Sequence, residues 1–391
     1  MEDAGDVNTP SPFSPIEAAI EAMRAGRMVV VVDDEGRENE GDLTLAAQHT
    51  TPEAINFMAS QGRGLICLAL AEDRVDELRL PMMTHDNRSP HGTAFTVSID
   101  AKLGISTGIS ARERAHTIRV AVDAKTKPED LVTPGHIFPL RAKRGGVLVR
   151  SGHTEGAVDL ARLAGRTAAG VICEIMREDG EMARVADLED FAARHNLGIV
   201  QIADLIQYRL AQEILVRRVA ETEIKPRGHG LQATYKATLY ASEVEDAEYL
   251  ALSLGDVTAG DPVLVRVQVA SPLRDIFSFT LAGDTMPATD WLRRIEREGR
   301  GVMLYILPRG GRSFASELGA ASVENEPVGA PLRDIGLGSQ VLVQMGIHSI
   351  RLLTNNPRRL AGIEGYGIHV VECVPSGPPA EVVSLHEREA K

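Results

Sequence analysis

Carboxylates crowd one short stretch near the N-terminus. Residues 33–42 read DDEGRENEGD and contain six Asp and Glu side chains. The stretch follows the apolar run 28–32, which reads as a buried strand, so these like charges are held close together at the end of a rigid element. Magnesium binds one or two carboxylates and completes its shell with water and substrate oxygens. The pattern fits a magnesium site, although a solvated acidic turn has the same composition.

A second candidate site is the loop over residues 150–154, which read RSGHT. A strand is predicted before it, over 146–149, and a helix after it, over 154–164. The N-terminus of a helix offers backbone N–H groups and a positive dipole end to an anion, and Arg150 adds a fork of donors. The loop therefore fits a phosphate group, but a plain turn between strand and helix often looks the same.

Two further side chains could transfer protons. Glu174 lies in the apolar run 171–176, where an unpaired carboxylate is costly to bury. It therefore either faces water on an edge strand or belongs to a site with a shifted pKa. His136 lies in the proline-bracketed segment 133–139, and a histidine in that setting has either a structural or a catalytic role.

Helices and strands that alternate along the chain must position these groups. Thr51 with Pro52 starts one helix, and Ser110 with Glu113 forms the capping-box pattern of another. Other helices are predicted over 15–25, 154–164, 288–298 and 334–345. Strands are predicted over 28–32, 64–70, 146–149, 171–176, 263–269, 302–307 and 350–353.

The length of 391 residues predicts two domains, and 43% apolar with 25% charged residues is typical of a soluble globular protein. Charges and chain breakers over 216–229 predict a linker between domains at 15–215 and 230–376. Flexible ends are predicted over 1–14 and 377–391.

Several classes of partner and location are disfavoured by composition. The net charge of -13 argues against nucleic acid as a partner. No signal pattern or apolar run of about 20 residues is present, so we expect a cytoplasmic protein without a membrane segment. The three cysteines, Cys67, Cys173 and Cys373, lie far apart in apolar runs, which predicts reduced thiols.

Residues 12–214 resemble 3,4-dihydroxy-2-butanone 4-phosphate synthase. The matching stretches are 33–42, LPMM at 80–83, STGIS at 106–110, PGHIFPLRA at 134–142 and RSGHTE at 150–155. The resemblance implies a lyase that converts D-ribulose 5-phosphate to L-3,4-dihydroxy-2-butanone 4-phosphate and formate in riboflavin biosynthesis. It also implies an α+β fold, with a synthase-like α/β domain first, and a homodimer with sites near the subunit interface.

The resemblance also implies roles for individual residues. Glu38 and His153 would bind two Mg²⁺ ions, and Mn²⁺ could substitute because a histidine ligand is unusual for magnesium. His136 and Glu174 would be needed for catalysis, with Asp42 as a third acid or base; the order of their proton transfers stays open. The implied substrate-binding residues are Arg37, Glu38, Asp42, Arg150, Ser151, Gly152, His153, Thr154 and Glu174.

Residues 230–376 resemble GTP cyclohydrolase II, most clearly at 299–305, 333–338 and 352–357. That family uses three cysteines for a catalytic zinc, whereas residues 267–284 contain none, so no zinc is expected. Pro331 stands where the family has an acidic general base, GGRS at 310–313 replaces an expected Glu-Gly-Arg-Gly, and Arg359 aligns with a substrate-binding lysine.

These departures predict a synthase whose second domain is degenerate and lacks cyclohydrolase activity. That domain would have either a structural role or a regulatory one. In the regulatory role it would bind a nucleotide or a flavin. Two alternatives stay open. In one, the chain is bifunctional, with a different metal arrangement in its second half. In the other, the whole chain is a non-catalytic nucleotide-binding regulator, which would leave the complete set of synthase residues unexplained.

Overall fold

The computed structural model describes residues 13–244, 246–260, 262–277, 279, 286–308, 330–354 and 366–375. The chain divides into two compact units, Met1–Tyr208 and Arg209–Lys391. The sequence predictions made for residues 310–313, for 355–357, for Arg359 and for nearly all of both chain ends lie outside the described residues.

The first unit alternates helices with short strands. Its helices are α1 (Ile16–Arg24), α2 (Pro52–Phe57), α3 (Glu72–Glu77), α4 (Ala111–Val122), α5 (His153–Leu163), α6 (Val185–His195) and α7 (Ile202–Gln212). Its strands are β1 (Val29–Val32), β2 (Gly41–Ala46), β3 (Cys67–Leu70), β4 (Ile99–Ala101), β5 (Leu131–Arg141), β6 (Ala169–Glu174) and β7 (Gly198–Gln201). The helix α7 crosses the division between the two units.

The seven strands form one mixed sheet in the order β4-β5-β3-β6-β2-β1-β7. The strand β1 consists of four buried valines, as expected for a strand covered on both faces. It pairs with β2 in the antiparallel and with β7 in the parallel direction. The helix α5, buried along most of its length, packs on β2, β3 and β6. This central part of the sheet is the rigid base of the candidate site.

Local capping follows the sequence in two places and departs from it in a third. The Thr51 side chain accepts a hydrogen bond from the Ala54 N–H, and the Ser110 side chain accepts one from the Glu113 N–H. The predicted strand 146–149 is wrong, because Gly146–Leu148 forms a single 3-10 turn. Two successive glycines with positive φ precede and open this turn, a conformation that a strand does not allow.

The second unit contains a second seven-stranded sheet, in the order β14-β13-β11-β12-β10-β9-β8. Its strands are β8 (Val216–Ile224), β9 (Tyr235–Ser242), β10 (Ala247–Leu254), β11 (Val263–Val269), β12 (Gly301–Pro308), β13 (Ser349–Leu353) and β14 (His369–Val374). Its helices are α8 (Pro272–Asp275), α9 (Ala288–Glu298) and α10 (Ala330–Gln344). The predicted α+β class is confirmed for the chain as a whole.

Residues 216–224 of the predicted linker form the strand β8, paired antiparallel with β9. The charged composition of this strand is typical of a linker, which explains the sequence prediction. Its side chains are exposed because β8 is an edge strand of the sheet. Within the described parts of the chain, every helix is too short or too polar to cross a membrane.

Candidate active site

The acidic loop after β1 is folded around the carboxylate of Asp33. Its Oδ1 accepts a hydrogen bond from the Glu40 N–H at 2.9 Å, and its Oδ2 accepts one from the Glu38 N–H at 3.1 Å. Arg37 forms ion pairs with Asp33 at 2.8 Å and with Glu38 at 2.9 Å. The loop is therefore an ordered turn with a buried carboxylate at its centre, while the side chains of Asp34 and Glu35 are exposed.

His153, the first residue of α5, lies against this loop. Its Nδ1 is 3.8 Å from Glu38 Oε2, and its Nε2 is 4.0 Å from Asp42 Oδ1. Ligand atoms of Asp33, Glu38 and His153 all lie within 4.8 Å of one another. Two carboxylates and an imidazole at these separations fit a divalent cation. The sequence analysis did not identify Asp33 as a possible ligand, although its position directly after a buried strand was a usable signal.

Burial shifts the pKa values of two groups in this cluster. The Asp42 Oδ1 and His153 Nε2 atoms are buried and have no hydrogen-bond partner among the described residues. Burial, reinforced by the charges of Glu174 and Glu38, raises the pKa of Asp42 well above its ordinary value. Burial lowers the pKa of His153, despite the opposing charge of Asp33. A neutral imidazole with an unused lone pair is the form that binds a metal.

Glu174 stands beside Asp42, directly opposite it in the β2–β6 pairing. The Glu174 Oε2 accepts a hydrogen bond from the Leu65 N–H at 2.8 Å. A Cβ atom on Gly64 would lie 2.5 Å from both this oxygen and the Glu174 carbonyl oxygen, so only glycine fits there. Because β6 lies between β3 and β2, the alternative of a water-facing glutamate on an edge strand is excluded.

The predicted phosphate loop forms the entrance to α5, with Gly152 as its N-cap. Ser151, His153 and Thr154 are buried. Arg150 donates to Glu155 Oε2 at 2.7 Å and to the His91 carbonyl oxygen at 3.1 Å. The arginine is thus held in place before any anion binds. Glu155 was part of the sequence motif, but no role was recognised for it.

His136 is held by a residue that the sequence analysis missed. Its Nδ1 lies 2.7 Å from Oδ2 of Asp100, which belongs to β4. The strand β3 lies between β5, which carries His136, and β6, which carries Glu174. At the usual spacing of neighbouring strands, the axes of β5 and β6 are therefore about 10 Å apart. His136 does not join the cluster around His153 through a direct contact that the structure describes.

In the second unit, the segment with no cysteines carries a polar cluster around Asp275. The Asp275 carboxylate accepts hydrogen bonds from Gln268 Nε2 at 2.6 Å, from Tyr305 Oη at 2.8 Å and from Arg274 Nε at 3.0 Å. Burial and the Asp275 carboxylate raise the pKa of Tyr305 above its ordinary value. Pro331 and Arg333 lie in α10. The donor set of this region is oxygen and nitrogen, which does not fit a three-thiolate zinc site.

The buried carboxylates, the imidazole of His153 and the N-terminus of α5 have the chemistry of a metal-dependent enzyme for a phosphorylated small molecule. The family model described as 3,4-dihydroxy-2-butanone 4-phosphate synthase matches residues 17–208, and that of GTP cyclohydrolase II matches 217–375. The chain belongs to the 3,4-dihydroxy-2-butanone 4-phosphate synthase family, with a second domain of the GTP cyclohydrolase II family, and it is a synthase that acts on a sugar phosphate.

Known proteins are similar over most of the chain. "Riboflavin biosynthesis protein RibBA" of Aquifex aeolicus (strain VF5) is 50% identical over 379 residues, which cover 93% of this chain and 92% of that protein. The crystal structure of RibBX, "a two domain 3,4-dihydroxy-2-butanone 4-phosphate synthase from A. baumannii", has 40% identity and a TM-score of 0.74, covering 92% of this chain and all 100% of that one. A synthase structure in complex with two magnesium ions is 42% identical, covers 50% of this chain and 96% of that one, and has a TM-score of 0.49.

These comparisons contradict the prediction that the second domain is degenerate and lacks cyclohydrolase activity. The GTP cyclohydrolase II model matches nearly all of that domain, and the Aquifex relative is similar across both domains. The prediction relied on single positions such as Pro331 and on the absent cysteines, and it gave too little importance to similarity along the whole domain. The bifunctional alternative is the better supported one. The non-catalytic regulator is excluded by the synthase assignment.

Proposed function

We propose that the first domain converts D-ribulose 5-phosphate to L-3,4-dihydroxy-2-butanone 4-phosphate and formate. The observation that carries this proposal is the pair of buried, unpartnered atoms Asp42 Oδ1 and His153 Nε2, 4.0 Å apart beside Glu38. A buried acid and a buried imidazole without partners are costly unless a ligand joins them. A small sugar with adjacent oxygens is of the size and chemistry to do so.

The proposed cofactor is two Mg²⁺ ions per site, held through Glu38 and His153. One group of possible ligand atoms, from Asp33, Glu38 and His153, supports this proposal. Mn²⁺ would substitute, because imidazole suits manganese better than magnesium. When bound, the cations stabilise negative charge that develops on substrate oxygens. The Nε2 atom of His153 supports this proposal. It is buried among carboxylates and has no hydrogen-bond partner among the described residues.

Asp42 and Glu174 are the acid–base pair of the proposed reaction. Their side chains lie opposite each other, but only Glu174 accepts a backbone hydrogen bond at its carboxylate. Burial raises the pKa of Asp42, which suits this carboxyl to the role of the acid. Glu174 accepts the proton next to the substrate carbonyl, the step that forms an enediol. The later loss of water and of formate needs further proton transfers, in which His136 is the third acid or base of the proposed reaction.

The phosphate group of the substrate binds at the start of α5 in this proposal. The positive end of the α5 dipole and the backbone N–H groups of His153 and Thr154 in its first turn favour an anion. Arg150 adds a charge whose orientation is set by Glu155. Arg37, which forms ion pairs with Asp33 and Glu38, holds the acidic loop against the sugar end of the same substrate.

The first domain would act as a homodimer with the site close to the subunit interface. Three apolar side chains, Leu103, Ile109 and Val132, are exposed by 78%, 54% and 40%. Two of them lie near His136: Val132 pairs with Asp100, and Ile109 follows Gly108, which lies against Asp100 and His136. Because His136 is two strands away from Glu174 within one subunit, a second subunit is the simplest way to bring an imidazole to the substrate. The proposed domain limits are 15–215 and 230–376. The strand β8, which lies between these limits, pairs with the sheet of the second domain.

GTP cyclohydrolase II activity of the second domain is the second candidate function, favoured by the family match over 217–375. The residues do not fit the zinc site of that family, since the only cysteine of this unit, Cys373, lies on β14 and is exposed. No step through zinc is therefore derived. A cyclohydrolase reaction here would have to use other donors.

One paired assay tests both functions. The full chain is incubated with ribulose 5-phosphate and Mg²⁺, and separately with GTP, and formate is measured in each reaction. Formate from the sugar phosphate is expected. Formate from GTP would establish the bifunctional enzyme, whereas its absence would remove the second candidate function. No formate from the sugar phosphate at any concentration of Mg²⁺ or Mn²⁺ would remove the first.

A further inference from the structure

Asp100 binds His136 at two points. Its Oδ2 lies 2.7 Å from the ring Nδ1, and its Oδ1 accepts a hydrogen bond from the His136 backbone N–H at 3.1 Å. A carboxylate that binds both the main chain and the ring of one residue limits the rotation of that ring as well as its position. The contact therefore orients the imidazole much more tightly than a single hydrogen bond would.

The pairing of β4 with β5 is irregular at the point that creates this contact. Ile99 pairs with Ile137, whereas the next residue, Asp100, pairs with Val132, so residues 133–136 bulge from the ladder. Gly135 in this bulge donates a hydrogen bond to Ser98 Oγ at 3.1 Å. A Cβ atom on Gly135 would lie 2.0 Å from the carbonyl carbon of Ile99, so only glycine allows this approach.

A second glycine closes over the same pair from another segment. Gly108 has a φ of +86°, which favours glycine. A Cβ atom there would lie 2.3 Å from Asp100 Oδ2 and 2.7 Å from His136 Nδ1. Three separate segments thus converge on one carboxylate–imidazole pair. A chance ion pair on the surface would not require such close packing of three segments.

We propose that Asp100 is a positioning residue for His136 in the synthase reaction, an inference that rests on the proposed catalytic part of His136. An ionised carboxylate offers only acceptor sites, so the ring proton is on Nδ1 and the lone pair is on Nε2. Asp100 is 7% exposed and His136 is 40% exposed, so the ring is the accessible member of the pair. The Nε2 atom accepts a proton from the substrate and later returns it.

The tautomer of His136 in the unmodified protein is the first test. The 11 histidines are labelled with nitrogen-15, and the signal that disappears in His136→Gln identifies residue 136. For the neutral ring we expect a protonated Nδ1 and an unprotonated Nε2. A neutral ring with its proton on Nε2 would overturn the proposal without any variant of Asp100 being needed.

The second test compares Asp100→Asn with Asp130→Asn, an exposed aspartate that directly precedes β5 and serves as a matched control. The amide group introduced by Asp100→Asn donates as well as accepts hydrogen bonds, so it allows the wrong tautomer. We expect kcat to fall by about 10²- to 10⁴-fold in D100N, the range of general acid–base catalysis, with a much smaller change in KM. D130N should match the parent protein.

The outcomes separate the two proposals. If H136Q is inactive but D100N is fully active, the positioning role of Asp100 is refuted, whichever tautomer His136 has in D100N. The proposed part of His136 in catalysis would then stand. A fully active H136Q would remove the proposed part of His136 in catalysis, and with it the role of Asp100. A loss of activity in D100N together with a mixed or inverted tautomer supports the inference. If D100N does not fold, the tautomer in the unmodified protein decides.

Discussion

The imidazole of His153 faces the carboxyl of Asp42 across 4.0 Å, and both facing atoms are buried without a hydrogen-bond partner among the described residues. The two residues come from different elements, the start of α5 and the second position of β2, which pack against each other. Burial raises the pKa of Asp42 and lowers that of His153, so it disfavours the charged form of both groups. A ligand that joins the two atoms would relieve the cost of burying them without a partner.

Replacing Glu38 by Gln should abolish turnover without unfolding the chain. The amide keeps the size of the side chain but removes the charge that neutralises a cation, so we expect kcat for formate release to fall at least about 10²-fold. Glu35→Gln is the matched control, because Glu35 is an exposed carboxylate of the same loop. Near-normal turnover of E38Q, with circular dichroism unchanged, would contradict the role of Glu38.

A methyl group at position 64 should displace Glu174. In Gly64→Ala the new carbon would lie 2.5 Å from Glu174 Oε2, and overpacking of this kind costs about 1–3 kcal/mol. We expect lower thermal stability and a large loss of kcat. Gly198→Ala is the matched control, because Gly198 lies on the sheet that contains Glu174 and the nearest heavy atom to the new carbon would be 3.6 Å away. This variant should keep the thermal stability and the kcat of the parent protein. If the two variants have the same thermal stability and the same kcat, Glu174 tolerates the displacement and the prediction is wrong.

Glu113 should make stability depend on acid pH. Hydrogen bonds from Ser106 and Ser110 lower the pKa of Glu113 from 4.5 to about 2. A carboxyl whose pKa is depressed by folding contributes stability that is fully present above the unfolded value and is lost as the pH falls through the folded value. The parent protein should therefore unfold at a higher temperature than Glu113→Gln at pH 6, and the difference should shrink between pH 4.5 and about 2. A difference that is constant with pH would show that the charge of Glu113 contributes nothing.

Only one of the three cysteines should react with a thiol reagent in the native protein. Cys67 and Cys173 are buried, and burial raises the pKa of Cys173 to about 12 and that of Cys67 further, so neither forms a thiolate at neutral pH. Cys373 is exposed. Titration with a disulfide reagent should detect one fast thiol, none in Cys373→Ser, and three after denaturation. Two or more fast thiols in the folded protein would contradict the buried positions of Cys67 and Cys173.

Local elements followed from the sequence because their signals are local. The four valines of β1, the Thr51 cap and the apolar runs of the second sheet all lie within a few residues of the structure they determine. The strand predicted over 146–149 failed for the same reason, since two successive glycines with positive φ redirect the chain there. The linker signal over 216–229 came from exposed charges, which an edge strand such as β8 also carries.

The amino-acid sequence by itself determined the residue types of the site, the helix and strand that present them and, through its motifs, the family. It could not determine which of these residues meet, because contacts such as Asp100 with His136 or Asp42 with Glu174 depend on the order and register of strands far apart in the chain. The tertiary structure decided that Asp33 lies with Glu38 and His153, that Glu174 is on an inner strand and that Asp42 is buried. Burial, which shifts the pKa values of Asp42 and His153, exists only once the sheet and α5 have packed together.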